Sequence, residues 1–265
     1  MTDTKANAAN MKISRRLSAL AEWVPEGARF ADIGTDHALL PVYLASSGRI
    51  RLAVAGDVHK GPVEAARRQV ASAGLADIIS VRHGDGLSVL RQGEADTVCI
   101  AGMGGSLMVR LLEEAGPLLD SVTTLVLSPH VAEEQVRRWL NHNGFVLARE
   151  RILFEDGEYY TLLKAERDES GRARERIAEL YSPALLAPCC AVVPEELLLA
   201  MGPLLLRSPS EEFRGKWERE LAKREMILGQ LRKSSQPESA EKAKEWESFN
   251  HRLKEVLACL PGEKR

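Results

Sequence analysis

Cysteine is sparse and poorly spaced for metal binding. The 265 residues hold four, Cys99, Cys189, Cys190 and Cys259, with no C-x-x-C pair. This pattern predicts no metal centre and no disulfide framework, and it fits free thiols in a reducing cytoplasm. Aromatic residues make up only 5%, which argues against a base-stacking sheet of the RRM kind. No apolar run approaches the roughly 18 residues of a membrane span. Met1 to Asn10 is polar, with neither the apolar stretch of a signal peptide nor an Arg-rich transit character. Charge of one sign is also missing. With 36 basic and 38 acidic side chains the net charge is −2, so no global field advertises a polyanion partner. The G-x-G-x-x-G fingerprint of dinucleotide binding is absent.

The balance of 45% apolar and 28% charged residues is that of an ordinary globular chain. Its length accommodates one large α/β domain plus a smaller appendage, or two modest domains. The charge is unevenly spread. Within residues 207–233, eight basic side chains face five acidic ones, so any polyanion contact would be a local patch there. A solvated helix surface would look the same.

From about Arg29, short β-rich runs alternate with helical stretches. The runs are Phe30 to Ile33, Leu52 to Ala55, Ile78 to Val81, Thr97 to Ile100 and Thr124 to Leu127. Ala38 to Ser47, Gly61 to Ala73, Ser106 to Ala115 and Ala132 to Asn143 read as helices between them. This alternation predicts a parallel sheet covered by helices on both faces. Two further runs, Phe145 to Phe154 and Glu158 to Ala165, are joined through Asp156-Gly157, whose residues tolerate a tight hairpin. Five parallel strands ending in an antiparallel hairpin is the pattern of a class I methyltransferase rather than a dehydrogenase. The expected fold is thus α/β and Rossmann-like, a seven-stranded sheet with a C-terminal helical domain. The expected division is 1–166 and 167–265. In the second part, Trp217, Leu221, Arg224, Leu228 and Leu231, then Trp246, Phe249, Leu253, Val256 and Leu260, recur at helical spacing on either side of Ser234 to Pro237. They predict an antiparallel, coiled-coil-like helical hairpin.

Ligands of such sheets bind at the carboxyl ends of the strands. There the first strand offers Asp32, Gly34, Asp36 and His37. Asp36 would repel a pyrophosphate but welcome a sulfonium or an ammonium, and it could also cap the next helix, since the two roles are not exclusive. Asp57 closes the second strand 23 positions beyond Gly34, where an acid can accept from a ribose diol. Asp85 and Gly86 follow the third strand, where a carboxylate can accept from an adenine amine or simply shape a turn. Gly102, Gly104 and Gly105 follow the fourth and permit close approach of backbone, with Ser106 a candidate cap. Ser128, Pro129 and His130 end the fifth, as a ligand contact or a plain helix-entry turn.

The runs Asp32 to Ala38, Ala55 to Pro62, Gly84 to Leu87 and Ile100 to Gly105 resemble the bacterial TrmK family, S-adenosylmethionine-dependent tRNA methyltransferases acting on N1 of adenine 22. The resemblance looks continuous from about Lys12 to Ala165 and reappears at Met201 to Leu205 and Phe213 to Leu221. It implies S-adenosylmethionine as cofactor, tRNA as substrate, and a catalytic domain followed by a coiled-coil domain. It departs at Ser128-Pro129-His130, where the family usually has Gln-Pro-Asn, and at Asp57, where Glu is frequent. On this footing Asp32 and Gly34 shape the methionine end, Asp57 holds the ribose, and Asp85 with Gly86 holds the cofactor adenine beside Gly102. Asp36, His37 and Arg16 lie nearest the transfer point. Ser128, Pro129 and His130 face the target base, and Arg214, Lys216, Arg219 and Lys223 contact tRNA. A monomer or weak homo-oligomer without membrane contact is expected. The competing readings are a methyltransferase for a small molecule or protein, and an RNA-binding protein with a vestigial pocket.

Overall fold

A computed structural model describes residues 11–190, 192–233 and 237–260. The polar N-terminal stretch and the turn expected at residues 234–236 therefore lie outside the described residues. The chain forms two compact units, 1–177 and 178–265.

The first unit opens with α1 (Arg15–Trp23), followed by β1 (Ala28–Ile33), α2 (Leu39–Ser46), β2 (Ile50–Asp57), α3 (Lys60–Ser72) and β3 (Ile79–His83). Next come β4 (Thr97–Met103), α4 (Gly105–Ala115), β5 (Thr124–Pro129), α5 (Glu133–His142), β6 (Phe145–Glu155) and β7 (Glu158–Arg167). The sheet has seven strands in the order β3-β2-β1-β4-β5-β7-β6. The first five are parallel, and β7 inserts antiparallel between β5 and β6. β5 is buried at every position, as a strand covered on both faces must be. One face packs Leu20, Trp23, Phe30, Leu44, Cys99 and Val126 into a core beneath α1 to α3. Met108 and Leu112 of α4 and Val136 and Leu140 of α5 are fully buried in turn. A buried ion pair, Arg137 Nε to Glu150 Oε1 at 2.8 Å, links α5 to β6.

Chain order reverses between β1 and β4. β1 leads outward to β2 and β3, after which the chain returns to place β4 on the other flank of β1. The reversal leaves a crevice above the carboxyl ends of β1 and β4, the position at which doubly wound sheets bind ligands.

The division at 177/178 falls later than the 166/167 read from the end of the last strand. The end of β7 and the residues after it stay tied to the first unit: Arg167 donates to the carbonyls of Val122 (3.0 Å) and Leu119 (2.9 Å), Asp168 N donates to the Gly144 carbonyl at 3.2 Å, and the Asp168 carboxylate accepts from Arg176 at 2.6 Å. Helix α6 (Ala173–Leu180) consequently spans the division.

The second unit holds α7 (Glu195–Met201), α8 (Pro203–Arg207), α9 (Glu211–Leu231) and α10 (Pro237–Cys259). Ser210 Oγ caps α9 by accepting from Phe213 N at 3.2 Å. The hairpin is joined by Arg224, which donates to Asn250 Oδ1 at 2.9 Å. Its guanidinium lies over Trp246 (4.3 Å) and Phe249 (4.1 Å). The unit is more than a hairpin. Buried Leu197, Leu198, Leu199, Leu205 and Leu206 of α7 and α8 add a core, unanticipated because five- and seven-residue helices are too short to display a period.

Candidate active site

The β1 turn departs from a simple helix entry. Gly34 has φ +76°, and His37 and Ala38 follow at φ +55° and +53°. Two successive left-handed non-glycine residues are held only where surrounding structure over-determines them, typically at functional sites. Ala38, not Asp36, is the N-cap of α2, without a side-chain cap bond. Asp36 therefore does not cap the helix. Its exposed carboxylate instead lies 3.4 Å from His37 Nε2.

Asp32 points into the α1 side of the sheet and is buried, accepting from Thr35 Oγ1 at 2.5 Å. Burial pushes its carboxyl pKa up to about 6, opposed by the Thr35 hydrogen bond and reinforced by the neighbouring charges of Asp36 and Asp57. A buried carboxylate beside two others calls for a cation. Asp57 closes β2 with one oxygen, Oδ1, accepting from His59 N at 2.7 Å. Asp85 is exposed beyond β3 and Gly86 takes φ +51°. Across the crevice Gly102 has φ +81°, with open space where a Cβ would stand. A Cβ on Gly34 would come within 2.7 Å of Met103 Cε, so the turn after β1 meets the end of β4 there. An elongated cationic ligand fits this row of acids and bare backbone.

Two candidate roles are corrected by the geometry. Ser106 lies inside α4, behind the cap residue Gly104, and donates to Gln135 Oε1 at 2.8 Å. Ser128 is fully buried and its Oγ has no hydrogen-bond partner, so it offers no hydroxyl at the edge. Pro129 is buried as well, and only His130 is exposed. Burial and the charge of Arg16 both lower the His130 pKa, favouring neutral imidazole. Arg16 Nη1 lies 3.4 Å from His130 Nε2. Its guanidinium sits 4.8 Å from the centre of the Tyr160 ring, which meets His130 edge-on at 5.8 Å.

Tyr160 and Glu155 were not anticipated. Because β7 runs antiparallel, with Leu163 opposite Leu127, the hairpin tip returns to the carboxyl edge. Glu155 there accepts from the backbone N–H of Arg15 (2.6 Å) and Arg16 (3.2 Å) at the start of α1. The available signal was three aromatic residues within Phe154 to Tyr160, in a chain otherwise poor in them.

In the second unit, Lys216, Arg219 and Lys223 share one side of α9. At about 100° per residue, Arg214 falls on the opposite side. It is half-buried, whereas Arg219 and Lys223 are exposed.

Strand order, switch point and the row of strand-end acids define a methyltransferase domain, and residues 13–163 match the family model described as such. The chain is 37% identical over 248 residues to the tRNA (adenine(22)-N1)-methyltransferase of Bacillus subtilis strain 168, covering 93% of this chain and 98% of that protein. The crystal structure of the B. subtilis m1A22 tRNA methyltransferase TrmK superposes with a TM-score of 0.81 at 35% identity, over 94% of this chain and 100% of that one. A Streptococcus pneumoniae chain solved in complex with S-adenosyl-L-methionine gives 0.76 at 32% identity, over 93% and 100%. The chain belongs to the tRNA (adenine(22)-N1)-methyltransferase family, the TrmK family.

Proposed function

We propose that this enzyme transfers a methyl group from S-adenosylmethionine to N1 of adenine 22 in tRNA. The observation that supports the reading is the row of Asp32, Asp57 and Asp85 at the carboxyl ends of the adjacent strands β1, β2 and β3, beside the switch point. When bound, S-adenosylmethionine supplies the methyl group on a cationic sulfur. Asp32 and the Gly34 turn receive the amino-acid end, with the carboxylate held ionised by the ligand's positive charge. Asp57 accepts from the ribose diol. Asp85 and Gly86 hold the adenine, and Gly102 lets the backbone close on the ligand.

Neutral adenine N1 carries a lone pair, so the target needs no prior deprotonation. The N1–carbon bond forms as the carbon–sulfur bond breaks, leaving positive charge on the base. Asp36 stabilises that charge or accepts a proton from the exocyclic amine, with His37 beside it. Arg16, fixed against Tyr160 and His130, contacts the phosphate of the target nucleotide. N1 is engaged in Watson–Crick pairing within a helix, so the adenine must arrive unpaired or be extruded.

Lys216, Arg219 and Lys223 form a second contact to tRNA phosphates, and the enzyme works as a monomer or weak homo-oligomer in the cytoplasm. No described helix is long and apolar enough to cross a membrane. Labelled methyl transfer to unmodified tRNA, followed by nucleoside analysis, tests the reaction: 1-methyladenosine at position 22 is expected, and no incorporation into tRNA refutes it. Charge reversal of the three basic residues should make the salt dependence of tRNA binding shallower by roughly two to three in logarithmic slope. An unchanged slope would exclude them from the interface.

A further inference from the structure

The β6–β7 tip carries three of the chain's thirteen aromatic residues, Phe154, Tyr159 and Tyr160. They divide between the two faces of the sheet. Tyr160 turns toward α1 and supports Arg16. Phe154 and Tyr159 are cross-strand partners on the other face, their ring centres 4.7 Å apart. Two cross-strand pairs further in, and next on the same face, Thr161 donates to Glu133 Oε1 at 3.0 Å at the first turn of α5. Helix α5 thus begins level with Thr161 and leaves Phe154 exposed, with Tyr159 half-buried beside it. Phe154 is 44% exposed, an unusual state for one of five phenylalanines in the chain.

The tip is held rather than free to wave. Glu155 is clamped across the first two N–H groups of α1, and Arg15 Nη1 donates to the Phe154 carbonyl at 3.4 Å. A preformed aromatic face costs little entropy to dock against. Its exposed surroundings select the occupant. Asp156 and Glu158 flank the pair and exposed Arg15 lies against the Phe154 carbonyl, so the rings are an uncharged face within a rim of mixed charge, which suits the face of a base beside its phosphate. Two rings are too little surface for a stable dimer, which needs on the order of 1,000 Å².

We infer that the Phe154–Tyr159 pair is a stacking ledge for the base next to the target adenine. The inference rests on the tRNA methylation reading. Extruding or unpairing the target exposes the face of its neighbour at the rim of the site, and an aromatic side chain at the same edge of the sheet replaces the lost stack.

The test uses the full chain and unmodified tRNA, with 2-aminopurine replacing the neighbouring base for a fluorescence arm. Phe154→Ala should lower kcat/KM for tRNA about 5- to 150-fold, the range for one lost base–aromatic stack. It should also abolish the stacking-dependent quenching, leaving S-adenosylmethionine affinity as in the parent. Phe154→Trp should retain both readouts. Phe154→Leu keeps apolar packing on Tyr159, and so tests the idea even if the alanine variant folds poorly; it should lose the quench and most of the rate. If all three variants methylate tRNA within twofold of a fully active parent, the ledge is overturned. A change in sedimentation with unchanged tRNA kinetics would also overturn it, in favour of a contact between copies. A parent that methylates no tRNA refutes the parent reading itself, and the ledge with it.

Discussion

The two edges of the central sheet solve the same turning problem differently. At the amino edge, the residues that enter left-handed φ before each of β1 to β6 are glycines, at 27, 48, 74, 93, 116 and 144. Arginines tie the same turns down: Arg49 donates to the Val24 carbonyl at 2.8 Å, and Arg29 to Asp96 at 3.2 Å and to the Gly93 carbonyl at 2.6 Å. At the carboxyl edge, His37, Ala38, Ala132 and Asp156 adopt left-handed φ, and Asp32, Asp36 and Asp57 crowd together, with exposed His37 and His59 beside Asp36 and Asp57. The described residues thus concentrate non-glycine backbone strain and like-charge repulsion at one edge. The amino edge is built for stability. The carboxyl edge gives up stability to hold groups where a cationic ligand and a base can use them.

The contrast breaks first on exchange of function for stability. Asp57→Ala should weaken S-adenosylmethionine binding about 10- to 150-fold, from the roughly 1.5–3 kcal/mol of a charged hydrogen bond, without lowering Tm. Arg29→Ala should do the reverse, costing on the order of 1 kcal/mol, about 2–4 °C in Tm, with unchanged affinity. Calorimetric titration and thermal melting of both variants check the exchange; an Arg29 variant with impaired binding would dissolve the distinction.

The second effect concerns Asp32. With a folded pKa of about 6 against an ordinary 3.8, the ligand-free protein gains most from this group below the ordinary value and loses that contribution as pH rises through about 6. Ligand binding has the opposite sign, because only the carboxylate attracts a cation. S-adenosylmethionine affinity should fall by up to about tenfold per pH unit below pH 6, and Asp32→Asn should flatten the profile. Titrations at pH 5 and 7 in buffers of different ionisation heat would expose the released proton.

Asp36 is exposed, so its effect should be smaller. Asp36→Asn should lower the single-turnover rate at saturating tRNA by roughly 3- to 10-fold, and more than it weakens cofactor affinity. If the affinity loss accounts for the whole defect, Asp36 is a cofactor ligand. Smallest is the backbone itself. Ala132→Gly should relieve left-handed strain and stabilise by up to about 1 kcal/mol, whereas Gly74→Ala should cost a similar amount; chemical denaturation measures both.

The sequence by itself determined the strand–helix alternation, the antiparallel hairpin at Asp156-Gly157 and the row Asp32, Asp57 and Asp85, because hydrophobic period, turn chemistry and strand ends are local properties. It also carried the motifs that resemble the TrmK family. Tertiary structure alone decided what depends on which strands become neighbours. Insertion of β7 beside β5 brought Glu155 and Tyr160 to Arg16 and His130, residues more than a hundred positions apart for Arg16 and about thirty for His130. It withdrew Ser128 into the core, since strand alternation and the packing of α1 turn that hydroxyl inward. The cap of α2 falls on Ala38 rather than Asp36, because the left-handed turn at 37–38 delays the first helical residue to Leu39. Local chemistry names the groups, and only strand pairing and packing say which of them meet.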